Sequence, residues 1–204
     1  MILCNKLPSC NQAFIGRKDE IKAIASHLSN QSVLFITGMA GIGKSEVAKA
    51  YAQKNRKKYT NIIYLYYTGD LRKDIANLTF ADDSVEMNEE VRFQNHYKVM
   101  QRLHTDTLLI LDNFNVLPKD EPFLKELMKN DMQLLITSRC KFKNYDSIEI
   151  KELDKDKELK KLFYKHCPSA KRDPDSVSAI IEEVNCHTLT VCMAALTLEA
   201  SGME

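Results

Sequence analysis

Residues 33–45 read Val-Leu-Phe-Ile-Thr-Gly-Met-Ala-Gly-Ile-Gly-Lys-Ser, and no other stretch narrows the fold as far. The apolar run Val33–Ile36 predicts a buried strand. Gly38, Gly41 and Gly43 predict a tight turn, and Lys44-Ser45 opens a segment with helical spacing. Gly38–Ser45 meets G-x-x-x-x-G-K-[ST] in full, in the strand-then-helix setting that gives the pattern its meaning. A phosphate chain needs many N–H donors aimed inward, and only a backbone of small residues curls that tightly around it. The helix start adds unpaired N–H groups and a partial positive charge. Lys44 would reach the β- and γ-phosphates, and the Ser45 hydroxyl would ligate Mg²⁺.

The rest of the chain repeats the alternation of strand and helix. Ile21, Ile24, Ala25 and Leu28 share one helix face before the first strand; Val47, Ala48, Tyr51 and Ala52 share another after it. Ile62–Tyr67 is β-branched and aromatic and predicts a strand. A short helix over Leu71–Leu78, a polar loop and a helix carrying Phe93, Tyr97 and Met100 follow. Leu108–Leu111 and Leu134–Ile136 are wholly apolar, with a short helix carrying Phe123, Leu124, Leu127 and Met128 between them, and Ser147–Ile150 suits an edge strand. Continuous apolar strands separated by helices predict a parallel sheet covered on both faces, an α/β three-layer fold over residues 1–150.

From Lys151 the pattern turns to helices only, so residues 151–204 form a small helical subdomain. Asp154 is placed to cap a helix burying Leu159, Leu162 and Phe163. Asp173-Pro174 starts another along Val177, Ile180, Ile181 and Val184. The last, Thr188–Ala200, is apolar nearly all round and is expected to be buried.

Composition removes other classes. With 44% hydrophobic and 28% charged residues the chain is an ordinary globular protein, and 204 residues suit one domain plus a smaller one. A net charge of +1 supplies no global field toward nucleic acid or acidic membranes, and the run Lys54, Arg56, Lys57, Lys58 reads as a solvated helix end. The apolar stretch around Leu189–Leu198 is far short of the ~20 residues of a membrane span, and Met1–Cys10 lacks the signal-peptide pattern. A cytoplasmic chain is expected. Cys4, Cys10, Cys140, Cys167, Cys186 and Cys192 contain no C-x-x-C and are expected to be free thiols. His166-Cys167 and Cys186-His187 have poor chelate spacing for zinc.

In parallel sheets ligands sit beyond the carboxyl ends of the strands. Thr37-Gly38, Asp112 and Thr137–Arg139 all fall at such ends. Asp112 follows four apolar residues, as a metal-associated carboxylate does in phosphate-loop enzymes. Arg139 is placed to read a γ-phosphate, since a guanidinium makes two parallel bonds to phosphate oxygens.

The order Phe14-Ile15-Gly16-Arg17, Gly38–Ser45, Leu108–Asn113 and Thr137-Ser138-Arg139 resembles the STAND class of signal-transduction P-loop NTPases, and within it the NB-ARC group. The first helical subdomain of that group carries Gly-Leu-Pro-Leu-Ala, matched in part here by Thr188-Leu189-Thr190-Val191-Cys192. The resemblance implies an ATP/ADP–Mg²⁺ switch that hydrolyses slowly, exchanges ADP for ATP and assembles into homo-oligomers. Phe14, Ile15, Gly16 and Arg17 would line adenine and ribose, and Leu189 and Thr190 would close over the base. Met39, Ala40, Gly41, Ile42, Gly43, Lys44, Ser45 and Glu46 would hold the phosphates. Ser45 and Asp112 would hold Mg²⁺, and Lys44, Asp112, Asn113 and Arg139 would surround the reacting phosphate.

Two positions depart from the group. Asn113 stands where many relatives have a second acidic residue, and an amide cannot accept a proton at neutral pH. Thr190 stands where the group has proline. The group also continues into a winged-helix subdomain and a sensor array, so a piece of a longer protein or an unusually short member is expected. Two alternatives carry different chemistry. An AAA+-like or DNA-associated turnover ATPase would need a competent base after Asp112; a small-molecule phosphotransferase would need an acceptor lid, and none is visible.

Overall fold

The computed structural model of the protein describes residues 7–81, 83–84 and 86–202. The expectation for Cys4 and part of that for the polar loop near residue 82 lie outside the described residues. Cys10, Cys140, Cys167, Cys186 and Cys192 are free thiols. Strands β1 (Val33–Thr37), β2 (Asn61–Tyr66), β3 (Thr107–Asp112), β4 (Gln133–Ser138) and β5 (Ser147–Glu149) form one sheet in the order β2-β3-β4-β1-β5. Every pairing is parallel. The fold is the expected three-layer α/β arrangement around a parallel sheet.

Strand alternation divides the apolar runs between two cores. Leu109, Leu111, Leu134 and Ile136 pack against α3 (Leu71–Ala76), α4 (Glu89–Met100) and α5 (Phe123–Leu127). Leu34, Ile36, Leu108, Ile110 and Leu135 face the other way, onto α1 (Lys18–His27) and α2 (Lys44–Lys54). With helices on both sides, β3 and β4 are buried along their whole length, which is why their sequences are apolar runs rather than alternating ones. β4 is inserted between β1 and β3, with Thr37 opposite Ser138 and Leu111 opposite Ile136. That register brings Gly38, Asp112 and Thr137 to one carboxyl edge.

A third cluster holds the helical unit together. A π-helical turn at Lys155–Leu159 leads into α6 (Lys160–His166), followed by α7 (Pro174–Glu183) and α8 (Thr188–Ser201). Asp154 accepts from the Lys157 N–H at 2.7 Å and Asp173 from the Ser176 N–H at 3.0 Å, so both predicted caps form. Leu159, Leu162, Phe163, Val177, Ile181, Val191 and Ala195 are buried there, and Ala13 from the lead-in segment joins them. The lead-in thus packs on both units, since Leu7, Cys10 and Phe14 lie against the core of α1 and α2.

The expectation that α8 is buried all round is corrected. Leu189, Met193 and Leu196 are 50%, 58% and 52% exposed, while Val191 and Ala195 are buried. The helix packs on α6 and α7 through one face, and among the described residues no further layer covers the other. Among the described residues no helix is long and apolar enough to cross a membrane.

Leu135, fully buried in the central strand β4, reports on the sheet. Leu135→Ala is expected to lower unfolding free energy by about 2–5 kcal/mol. Urea denaturation with an unchanged slope against denaturant is the measurement.

Candidate functional site

The loop between β1 and α2 carries Gly38 at φ 145°, Gly41 at φ 74° and Gly43 at φ 106°. The Lys44 ammonium folds back onto its own loop, donating to the carbonyls of Gly38 at 3.0 Å and Met39 at 2.7 Å. Burial, and then the nearby Arg139 cation, push the Lys44 ammonium below its usual range; Asp112 opposes both. Among the described residues the exposed Arg139 side chain has no hydrogen-bond or ion-pair partner. Two cations therefore face this end of the cleft, with the Asp112 carboxylate near Lys44.

That carboxylate is buried and strongly held. Asp112 Oδ1 accepts from the hydroxyls of Ser45 at 2.7 Å and Thr137 at 2.5 Å, and Oδ2 accepts from Tyr64 at 2.5 Å. The Thr137 hydroxyl also accepts from the Asn113 N–H at 2.9 Å, so its own hydrogen must go to Asp112. Burial and the bond to Asp112 both raise the Tyr64 phenol well above its ordinary range. Asn113 follows with φ 67°, a left-handed turn that asparagine tolerates better than most residues. Ala40, Gly41, Lys44, Ser45, Asn113, Asn115, Thr137 and Arg139 together line this end of the cleft.

The other end is apolar. Phe14, Ile15, Ile42, Leu153, Leu162 and Leu189 wall it, with Asn11, Arg17, Glu46, His166, Thr188 and Cys192 at its polar positions. It is lined both by residues 11–46 and by the helical unit. Of the residues expected there, Phe14, Ile15, Arg17 and Leu189 line it. Arg17 is spent inside the protein, donating to Glu20 at 2.9 Å and to the Ile42 carbonyl at 3.2 Å. A Cβ on Gly16 would run into the Glu158 carboxylate, so this glycine seats the lead-in on the helical unit. Met39 is exposed. The Thr190 hydroxyl is engaged by His187 Nδ1 at 2.8 Å, and Thr190 is not among the residues lining the cleft.

The residues present fit a magnesium nucleotide. Thr188 Oγ1 is buried beside the apolar end without a hydrogen-bond partner among the described residues, an unmet polar group that a base or ribose would satisfy. At the other end the paired cations suit a phosphate chain. Ser45 Oγ and Asp112 supply hard oxygens, and Mg²⁺ characteristically takes one or two carboxylates with its remaining sites on water and phosphate.

A family profile described as the AAA domain matches residues 26–143, over half of the chain. The chain belongs to the AAA domain family. It is a P-loop ATPase domain. The structure is similar to the Walker-type ATPase of Pyrococcus abyssi (TM-score 0.69, 11% identity, 97% of this chain and 71% of that one). It is also similar to a STAND protein with a tetratricopeptide repeat sensor from Pyrococcus horikoshii (TM-score 0.53, 16% identity, 91% of this chain and 30% of that one). AMPPCP-bound DnaA from Aquifex aeolicus shares the fold as well (TM-score 0.57, 16% identity, 93% of this chain and 64% of that one). A search of curated proteins finds no match.

Three residues of this AAA-family chain escape sequence reasoning. Tyr64 sits in an ordinary aromatic strand, and its bond to Asp112 follows only from the β2–β3 pairing. Asn115 donates to Asn113 and accepts from the Arg139 N–H, linking two loops. His187 is the N-cap of α8, and its Nε2 lies 2.7 Å from the Ala40 carbonyl. Its Nδ1 faces the Thr190 N–H at 3.4 Å, a group that only donates, so Nε2 carries the hydrogen. One ring thereby ties the helical unit to the phosphate loop.

Gly41 sits at that junction. A Cβ there would lie 2.8 Å from His187 Cε1 and 2.9 Å from Leu189 Cβ, at φ 74°. Gly41→Ala is expected to push the start of α8 away. Hydrogen exchange of the amides of residues 188–192 should accelerate by about tenfold, matching roughly 1–2 kcal/mol of left-handed strain.

Proposed function

We propose that this domain is an ATP/ADP–Mg²⁺ switch of the STAND type, nearest in character to the NB-ARC group. The observation that carries the reading is the cleft itself. Its phosphate end belongs to the sheet domain, its base end is completed by Leu189 and Thr188 of the helical unit, and His187 joins the two across Ala40. A ligand spanning such a cleft sets the relation between the units, which is what a nucleotide-controlled conformational change requires. Phe14, Ile15 and Leu189 would hold adenine; Lys44 and the amides of residues 41–45 the phosphates; Ser45 and Asp112 the metal; Arg139 the γ-phosphate. When bound, Mg²⁺ would neutralise phosphate charge beside Asp112.

Asn113 supports holding over turnover, because the residue directly after Asp112 is an amide and not a carboxylate. Signalling belongs to the same proposal, by analogy with a signal-transduction ATPase of which this chain spans 30%, and self-assembly is part of it as what the resemblance to the NB-ARC group implies. A turnover ATPase is the competing reading, favoured by the AAA domain match and the likeness to DnaA. The two differ in rate: the switch predicts turnover well below the ~1 s⁻¹ of ordinary enzymes.

Thermal melting tests the reading. With Mg²⁺, ADP or ATP at 100-fold excess over Kd should add about 2.7 kcal/mol of stability and raise Tm. Lys44→Ala should abolish that shift while leaving the unliganded Tm near wild type. A wild-type protein whose melting ignores both nucleotides would refute the proposal.

A further inference from the structure

Amide oxygen and nitrogen are distinguished only by their partners, and at Asn115 one partner is unambiguous. The Arg139 backbone N–H can only donate, and it bonds the Asn115 side chain at 2.8 Å, so that atom is Oδ1. The other end of Asn115 is then an –NH₂, which can only donate, 2.5 Å from the side-chain oxygen of Asn113. Asn113 therefore turns its acceptor toward Asn115 and keeps its own –NH₂ unspent; among the described residues that nitrogen has no partner. Its backbone is fixed as well, by the N–H bond to Thr137 and the turn at φ 67°. Asn113, Asn115 and Arg139 all line the phosphate end of the cleft.

We propose that Asn115 is a positioning residue. It locks the Asn113 amide with its donor side free, so that Asn113 and Arg139 form a donor-only subsite for the γ-phosphate and discriminate nucleoside triphosphate from diphosphate. The inference rests on the nucleotide reading of the cleft. It goes further in giving position 113 a polarity opposite to that of a catalytic base: its hydrogens are offered to a phosphate, while its oxygen is turned toward Asn115. Preference for the triphosphate is then built into the chain of bonds from the Arg139 N–H through Asn115 to Asn113.

Asn115→Asp inverts the relay. A carboxylate at 115 has no hydrogen to give, so Asn113 must turn its –NH₂ toward it and present oxygen to the cleft. Asn113→Ala removes the donor without adding charge. Calorimetric titration of the 204-residue chain with Mg²⁺–ADP and with Mg²⁺–AMPPCP reads both. In each variant AMPPCP affinity should fall about tenfold or more, as for loss of a bond to a charged group, and ADP affinity less than about threefold. Circular dichroism establishes that each variant is folded, and Asn113→Ala decides alone if Asn115→Asp is not. Equal losses for the two nucleotides, an unchanged ratio, or a selective loss confined to Asn115→Asp would overturn the relay while leaving the nucleotide site standing. A wild-type chain that binds neither ligand would overturn both.

Discussion

The Asp112 carboxylate is the point on which the site depends. It lies buried at the end of a central strand, where an ionised group is tolerated only if its oxygens are satisfied. Three hydroxyls do this, from β2, β4 and the first turn of α2. The same bonds fix the phosphate loop to the sheet edge: Ser45 cannot move relative to Asp112 without leaving the carboxylate short of a donor. Thr137 carries the constraint one step further, because its oxygen also receives the Asn113 N–H. Strand register, loop position and the turn after β3 are thus set by one network.

The network also explains the division of labour along the cleft. One end is polar and made at the carboxyl edge of the sheet. The other is apolar and shared with a helical unit that touches the loop through His187 and Leu189. A small helical unit with one packed face and an exposed row of Leu189, Met193 and Leu196 has few contacts to hold it in place. In the proposed switch, a ligand bridging the two ends would add contacts between them, and that would be the physical means by which nucleotide acts on the helical unit.

Much of this was legible in the sequence, and the boundary has physical causes. Gly38–Ser45, Asp112 and Arg139 could be placed because phosphate loops and strand ends are local patterns. The three-layer fold followed from apolar runs alternating with helical spacing. Tyr64, Asn115 and His187 could not be found that way. Each acts through a partner distant in the chain, or through a bond whose direction depends on a third group, and neither spacing nor residue type encodes that. The misplaced expectation for α8 has a related cause: an apolar helix implies burial only if something is present to bury it. Asn113 was recognised as a departure, but only the fixed donor at Arg139 gives its amide a direction.

The most direct measurement is the crystal structure of the protein grown with Mg²⁺ and ADP. The β-phosphate is expected within the loop of residues 38–45, Mg²⁺ beside Ser45 and Asp112, and adenine between Phe14 and Leu189. Nucleotide bound anywhere else, or a base held away from the helical unit, would contradict it.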